Sequence, residues 1–566
     1  MRHPFFYKQK RSPEIAPDEI FMDSHNSPRF DTDQFEGRIE RPIRRGAIIV
    51  FFGVVGLMGF LLLGKTFILQ IVSGADYREQ AESNRLAESL IFADRGVIVD
   101  RTGAPLAWNE SFATTTTTEE PTFARRLYAD AAGLAHILGF ISYPKKDRAG
   151  FYFQDAIEGR DGVERQYDEL LAGTPGRRIT EEDALGTAVS QSVVATPEPG
   201  RQLTLSIDMR VQDRLATAMS ELAHDVGFAG GASIIMDVRT GEILALVSIP
   251  SYESQVMSDG VDSVLIGSYT TDPTTPFLNR AIGGRYTPGS IMKPFLAIGA
   301  LSEGLISPDK QIYSDGALTV PNPYNPDMPT IFRDWKAHGW TDMRRAIAVS
   351  SNVYFMTIGG GFADQRGLGI DGIEKYARLF EIGEPTGIDL SGEVGGTIPN
   401  IAWKQSLFPD DPWRVGDTYN TSIGQYGFQV TVAQMARAIA AIASGGILVT
   451  PHLLMDGGTK PTETIDVDPE ALRIVREGMR LGVMEGTARA LGYPDLAVAA
   501  KTGTAELGVS KEKVNSWVMG FWPYEDPRFA FATVMEKGPV TNLIGSASVM
   551  RRLIDWMHVE TPEYLK

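Results

Sequence analysis

The stretch Gly46–Gly64, GAIIVFFGVVGLMGFLLLG, runs for nineteen residues without a charge. At 1.5 Å rise per residue, such a helix nearly spans a hydrocarbon core about 30 Å thick. A core helix of a globular domain seldom goes so far without a polar face. A cleaved leader would be shorter and would lie nearer residue 1. The expectation is one transmembrane helix over 46–68, with TFILQIV extending the apolar character beyond Lys65. Arg38, Arg41, Arg44 and Arg45 crowd its N-terminal flank, so the positive-inside rule puts the preceding tail in the cytoplasm and the rest outside. Residues 1–45, with nine basic and eight acidic side chains and little periodicity, read as a disordered tail.

The remaining composition narrows the chemistry. With 566 residues, 43% hydrophobic and 22% charged, the chain can bury more than one core. It has no cysteine, which excludes disulfides, thiolate metal sites and a Cys nucleophile. A net charge of -17 argues against a nucleic-acid partner, which Lys and Arg would have to hold through phosphates. HExxH, GxSxG and GxxxxGK[ST] are absent. GLGIDG (Gly367–Gly372) matches GxGxxG, but no strand leads into it, so it reads as a loop entering a helix.

Residues 69–200 read as short strands, turns and helices. ADYREQAESNRLAESL is expected to be helical, RGVIVDRTGAPLAWN a strand–turn–strand, and GVERQYDELLAGTPGRR a helix stopped by Gly173 and Pro175. The Thr run Ala113–Glu120 is β-prone and low in complexity. No titratable cluster there suggests chemistry, and the region reads as a spacer or interaction platform. Over 201–566 the texture changes. RQLTLSID alternates as a strand, and MRVQDRLATAMSELAHDV is an amphipathic helix. GGASIIMDVRTGEILALVSIP and the pair NSWVMGFWP/RFAFATVMEKG are antiparallel hairpins. Helical patterns (FLAIGALSEG, MRRAIAVSSNVYFMTI, IEKYARLFEI, TVAQMARAIAAIAS) fill the middle. Strands first, helices next and strands last give an α+β fold, with an antiparallel sheet covered by helices.

Ser-x-x-Lys, a spacing that lets a hydroxyl and an amine share one helix face, occurs at Ser142, Ser290, Ser307 and Ser510. Pro144 pushes Tyr143 away from helical geometry in the first. Ser307-Pro308 reads as a helix start, with Ser as N-cap and Pro at N1. Ser510 lies in a charged stretch between strands, where Lys513 is solvated. Ser290 differs. Pro288-Gly289 breaks the chain before it, IMKPFLAIGAL then reads as a buried helix, and Lys293 sits one turn on among apolar neighbours that depress an ammonium pKa.

Two more motifs follow: Ser350-Ser351-Asn352 in AVSSNVYF, and Lys501-Thr502-Gly503-Thr504 after the apolar run DLAVAA. SxxK, SxN and KTG in this order occur in penicillin-binding proteins and class A β-lactamases. The chain resembles a class B penicillin-binding protein over nearly everything after residue 45, through RGVIVDRTGAPLA, GVERQYDELLAGTPG, LTLSIDMRVQ, DVRTGEILALVSIPSYE, YTPGSIMKP, SSNVYF and KTGTAE. LQIVSGADYREQAESNR, WKAHGW and GDTYNTSIGQYGFQVTVAQMARAIAAIASGG resemble the elongation type, penicillin-binding protein 2, more than the division type.

The resemblance implies a penicillin-binding/serine β-lactamase-like transpeptidase domain over 201–566 on a β-rich pedestal over 69–200. Few residues separate LAWN from LAHILGF, so the pedestal's head is reduced. The implied activity is D,D-transpeptidation of peptidoglycan stem peptides, with weak carboxypeptidation as a side reaction. Ser290 would be the nucleophile and Lys293 its base, with the Ser290 and Thr504 N–H groups as oxyanion hole. Ser350 would relay a proton to the leaving amine, and Asn352 would hold the donor backbone. Lys501, Thr502, Gly503 and Thr504 would hold the terminal carboxylate, Lys501 also supporting the relay. No cofactor is implied. Some elongation-type relatives carry a zinc site near WKAHG that uses a Cys; here Asp334 and His338 alone make no site, and no metal is expected. Implied partners are stem peptides, the lipid-linked precursor, β-lactams and a polytopic glycosyltransferase of the rod complex, at the bacterial plasma membrane. The competing readings are a division-type transpeptidase, a β-lactam-sensing receptor and a non-catalytic scaffold.

Overall fold

The computed structural model describes residues 44–566 apart from 85, 111–122, 149–151, 155, 183–187, 322–324, 326, 456–461 and 509. The tail up to residue 43 and the Thr run Ala113–Glu120 lie outside the described residues. Contacts divide the chain into two units, Met1–Ala87 with Glu181–Val189, and Glu88–Thr180 with Ser190–Lys566.

The first unit contains helix α1 (Arg45–Phe67), continued by a π-helical stretch Ile68–Val72, and then α2 (Gly74–Asn84). No residue of α1 is buried, although the helix is apolar all round, with a mean hydropathy of 2.6 over its most apolar window. Side chains of this kind need an apolar medium that the protein itself does not supply. The helix is long and apolar enough to cross a membrane. The helix expected to run through LAESL instead stops at Asn84, and Leu86–Ile91 is a strand. The helical preference of Leu, Ala and Glu is weak and is overridden there.

In the second unit a four-stranded sheet takes the order Leu203–Thr204, Ile98–Val99, Pro105–Glu110, Arg125–Tyr128. The Arg-Thr-Gly turn within it closes on Gly103 at φ +87°. RQLTLSID pairs as a strand only at Leu203–Thr204. The helix stopped by Gly173 is two short helices, Gly162–Gln166 and Asp168–Leu171, and Gly173 has φ +69°.

The main sheet uses strands β1 (Gly230–Asp237), β2 (Ile243–Ile249), β3 (Ala499–Leu507), β4 (Lys513–Trp522) and β5 (Phe529–Pro539). The order is β2-β1-β5-β4-β3, antiparallel throughout, with β3 at one edge. The strands are apolar on both faces, because helices cover both. Ile235, Phe531 and Val518 pack with Leu215, Met219 and Leu222 of α3 (Met209–Val226), and with Leu553 and Met557 of a C-terminal helix (Ser546–Glu560). Ile234, Met236, Ala532 and Met519 point the other way, into the larger core. That core holds α4 (Lys293–Ser302), α5 (Met343–Val349), α6 (Asn352–Gly360) and α7 (Val432–Ala443). Every residue of α7 is buried, as an apolar helix beneath a sheet requires.

Two expectations fail locally. MRRAIAVSSNVYFMTI is not one helix: Ser350 adopts the left-handed region (φ 59°, ψ 43°), which ends α5, and Ser351 caps α6. Ser307-Pro308 starts no helix. It forms a turn in which Lys310 N–H donates to Ser307 O (3.1 Å) before the strand Ile312–Ser314.

Deep in the unit, the Arg280 guanidinium (2% exposed) donates from Nε to Glu536 Oε1 on β5 at 3.0 Å. Removing one partner of such a pair strands a charge in a low dielectric, at a cost of about 3–5 kcal/mol. Glu536→Ala is expected to lower the denaturant midpoint of the detergent-solubilised chain by a corresponding amount, with Glu536→Gln intermediate. A shift within experimental error for Glu536→Ala would show that the pair carries no such load.

Candidate active site

Ser290 lies in a 3-10 turn, Gly289–Met292, that leads directly into α4. Proline at N1/N2 (Pro294) and the preceding Pro288-Gly289 fix that entry, and the Lys293 N–H donates to Ser290 O. The first-turn N–H groups have no intrahelical acceptors and are free to face an anion. The Ser290 side chain is half-buried, whereas Lys293 is wholly buried.

Three chain segments meet at this turn through their backbones. Gly289 has φ +59°, and its N–H donates to Gly424 O at 2.9 Å. A Cβ on Gly289 would stand 2.9 Å from Thr504 O, and one on Gly503 would stand 3.0 Å from Pro288 O. Real Cβ atoms essentially never come closer than that, so glycine at both positions lets the edge of β3 close on the Ser290 turn. Trp517 Nε1, on β4, donates to Thr287 O at 3.0 Å and ties the sheet to the same turn.

The polar centre is a chain of contacts among the other two motifs. Lys293 Nζ donates to Asn352 Oδ1 (2.7 Å), Ser350 O (2.8 Å) and Ser350 Oγ (3.2 Å). Lys501 Nζ donates to the same Ser350 Oγ at 2.9 Å and to Thr502 O at 2.7 Å. Ser350 Oγ therefore stands between two amines. Burial pushes the Lys293 amine down to about 7, opposed by the Asp334 carboxylate. Burial first, and the neighbouring Lys293 charge second, push Lys501 well below the ordinary lysine range. Like charges this close cannot both be held, so near neutral pH at least one amine is free to accept a proton.

The motif residues named from sequence come together here. Lys293, Ser350, Asn352 and Lys501 are joined by hydrogen bonds, Ser290 lies in the turn that leads into Lys293, and Thr502, Gly503 and Thr504 continue along β3. Thr502 Oγ1 donates to Thr487 Oγ1 (2.6 Å), and Thr504 is exposed. The other Ser-x-x-Lys copies lie elsewhere. Ser142 Oγ accepts from Gln154 and Arg160 on the short strands of the 88–180 segment, Ser307 lies in its turn, and Ser510 is exposed between β3 and β4. Asp334 and His338 face each other (Oδ1–Nε2 3.5 Å), and among the described residues no third His, Cys, Asp or Glu completes a metal-binding group with them. Asp334 instead accepts a hydrogen bond from Ser351 Oγ. Sequence reasoning weighed Asp334 only as a metal ligand, and no motif spacing marks this contact.

The site is a buried cluster of two lysines and one serine, with a half-exposed serine at a nearby helix start. The model of the penicillin-binding protein transpeptidase domain matches residues 231–555, more than half of the chain, and that of the penicillin-binding protein dimerisation domain matches 121–205. The chain belongs to the penicillin-binding protein transpeptidase family, and within it to class B and the elongation type. It is 27% identical to the peptidoglycan D,D-transpeptidase MrdA of Escherichia coli, over 90% of this chain and 93% of the relative. To the E. coli peptidoglycan D,D-transpeptidase FtsI it is 26% identical, over 75% of this chain and 65% of the relative. The structure of Helicobacter pylori penicillin-binding protein 2 in complex with MreC superposes with a TM-score of 0.68 at 25% identity, covering 84% of this chain and 99% of that one.

The pKa of Lys293 sets a pH dependence. The lowered value means that the amine is protonated below about pH 7 and free above it. Acylation by a fluorescent penicillin is therefore expected to rise with pH through about 7 and then level off. A rate that stays flat from pH 5 to 9 would count against Lys293 as the base.

Proposed function

We propose that the protein is a peptidoglycan D,D-transpeptidase of cell elongation, working through an acyl-enzyme on Ser290. The observation that carries this reading is the shared contact of the three motifs: Lys501 and Lys293, the latter one turn after Ser290 in the chain, both donate to Ser350 Oγ, at 2.9 and 3.2 Å. In the first step Ser290 Oγ attacks the carbonyl between two D-Ala residues of the donor stem, and its proton passes to the free Lys293 amine. The Ser290 and Thr504 N–H groups take the charge that develops on the carbonyl oxygen. Ser350 Oγ gives its proton to the departing D-Ala nitrogen and is reprotonated from the flanking amines. Asn352 orients the donor backbone, and Lys501, Thr502 and Thr504 receive the terminal carboxylate beside Gly503. An amine of a neighbouring stem then attacks the ester, regenerating Ser290 and completing the cross-link. Water in its place gives weak carboxypeptidation.

Penicillins, which mimic D-Ala-D-Ala, would acylate the same oxygen. The elongation role is supported by the more complete match to MrdA than to FtsI, which aligns over a shorter stretch of both chains. The arginines before α1 support an orientation with residues 1–45 in the cytoplasm, 46–68 in the membrane, a pedestal over 69–200 and the transpeptidase domain over 201–566 on the outer face. The reading includes a membrane-embedded glycosyltransferase of the rod complex as partner, since it gives this chain only the cross-linking step. The H. pylori relative held by MreC agrees with work inside such an assembly.

Fluorescent-penicillin labelling of membranes is expected for the wild type and lost in Ser290→Ala. Equal labelling of both, or of neither, would overturn the acyl-enzyme reading. Depletion is expected to round the cells; filaments would assign the protein to division instead.

A further inference from the structure

We propose that Asp334 is a positioning residue for the acylation step, its carboxylate clamping the Ser350–Asn352 segment against the Lys293 amine. This rests on the Ser290 reading above.

The segment needs a clamp. Ser350 is a non-glycine residue in the left-handed region, a conformation that costs on the order of 1–3 kcal/mol and survives only where its surroundings hold it. On its inner side Ser350 O and Ser350 Oγ take hydrogen bonds from Lys293. On its outer side a single oxygen, Asp334 Oδ2, accepts from Ser351 Oγ (2.9 Å), from Val353 N–H (3.0 Å) and, more weakly, from Ser314 Oγ (3.4 Å). Asn352 is thereby bracketed by two residues tied to one atom, with its own Oδ1 on Lys293 Nζ at 2.7 Å.

The carboxylate is itself held. Trp335 N–H donates to Oδ1 at 2.9 Å, and Asp334 N–H donates to Gly316 O at 2.8 Å. Its negative charge also sits at the start of α6, nine residues long, where the helix dipole favours an anion. A neutral cap could satisfy the helix end through Ser351 alone, because Ser351 Oγ already accepts from Tyr354 N–H at 3.3 Å. The additional bonds from Ser351 Oγ and Val353 N–H fix where Asn352 and Ser350 stand relative to the amine. The hydrogen bonds of Asp334 reach the Ser351 hydroxyl and the Val353 N–H, so it acts by holding Ser350 and Asn352 in place, besides the upward push its charge gives the Lys293 pKa.

The test measures, on the detergent-solubilised full chain, the fraction of molecules that a fluorescent penicillin labels, the reversible Kd before acylation, and the acylation rate constant at saturation. Misplacing reacting groups by about 1 Å costs roughly 100-fold. For Asp334→Ala the labelled fraction and Kd are expected to stay near wild type, while the rate constant falls roughly 10- to 100-fold. Asp334→Asn, which keeps the shape but turns a donor toward Val353 N–H, is expected to fall between the two. Ser351→Ala is expected to slow acylation too, and to add nothing in the Asp334→Ala background. Where Asp334→Ala does not fold, the Asn and Ser351 variants decide the matter by the same criteria. A reduced labelled fraction with an unchanged rate constant would reduce Asp334 to a structural cap, and an unchanged rate in all variants would also overturn the proposal. A Ser290→Ala control that still labels would instead remove the underlying acyl-enzyme reading.

Discussion

Two lysine amines withdrawn from water converge on one serine hydroxyl, and much of the surrounding structure exists to keep them there. Burying an ammonium is costly unless it is paired or gives up its proton. Among the described residues neither Lys293 nor Lys501 forms an ion pair with a carboxylate; the Lys293 bonds end on a carbonyl, a hydroxyl and an amide, and those of Lys501 on a hydroxyl and a carbonyl. A salt bridge would have made these residues permanently cationic. Compare Lys404, whose side chain is also shielded from solvent but is held between Asp411 and Asp417, and whose pKa is raised instead. For the same residue type, burial without a bonded carboxylate lowers the pKa in one place, and the bonds to Asp411 and Asp417 raise it in the other.

That electrostatic arrangement depends on a geometric one. Ser290, Ser350 and Lys501 come from segments far apart in the chain, and the packing that joins them is carried by backbone. Gly289, Gly424 and Gly503 let the Ser290 turn, a neighbouring loop and the edge of β3 approach without side chains between them. β3 has room for this because, among the described residues, it is the outermost strand of the sheet. An edge strand is normally a liability for aggregation. Here the Ser290 turn covers part of that edge.

The parts of this picture legible in the sequence were those with short-range signatures. The uncharged run in α1, the amphipathic spacing of α3, the two antiparallel hairpins and the Pro-Gly break before Ser290 each reflect a local rule, and each appears in the structure. The motif set was legible because three patterns occur in order. What failed were boundaries set by tertiary contacts. Nothing local in AVSSNVYF distinguishes a continuous helix from one broken at Ser350, because serine tolerates either and the break is held by Lys293 from another helix. Ser307-Pro308 has the letters of a helix start, but Ile312 and Tyr313 pair with Trp340 and Thr341 as a strand and leave no room for a helix. The contacts of Asp334 were invisible for the same reason, since its partners lie 17 to 20 residues away along the chain with no characteristic spacing.

The break at Ser350 also explains why Ser-x-Asn, and not a continuous helix face, can serve this site. On an uninterrupted helix, side chains two apart diverge by about 200° and cannot address one amine. With Ser350 left-handed and Asn352 at the first position of a new helix, both can turn toward Lys293, and Ser351 between them points away to Asp334. The alternation resembles that of an extended strand, compressed into the gap between two helices. Such a gap has to be held from both sides, by the amine within and the carboxylate without. The strained residue is therefore held by contacts on both of its sides and is not an accident of packing.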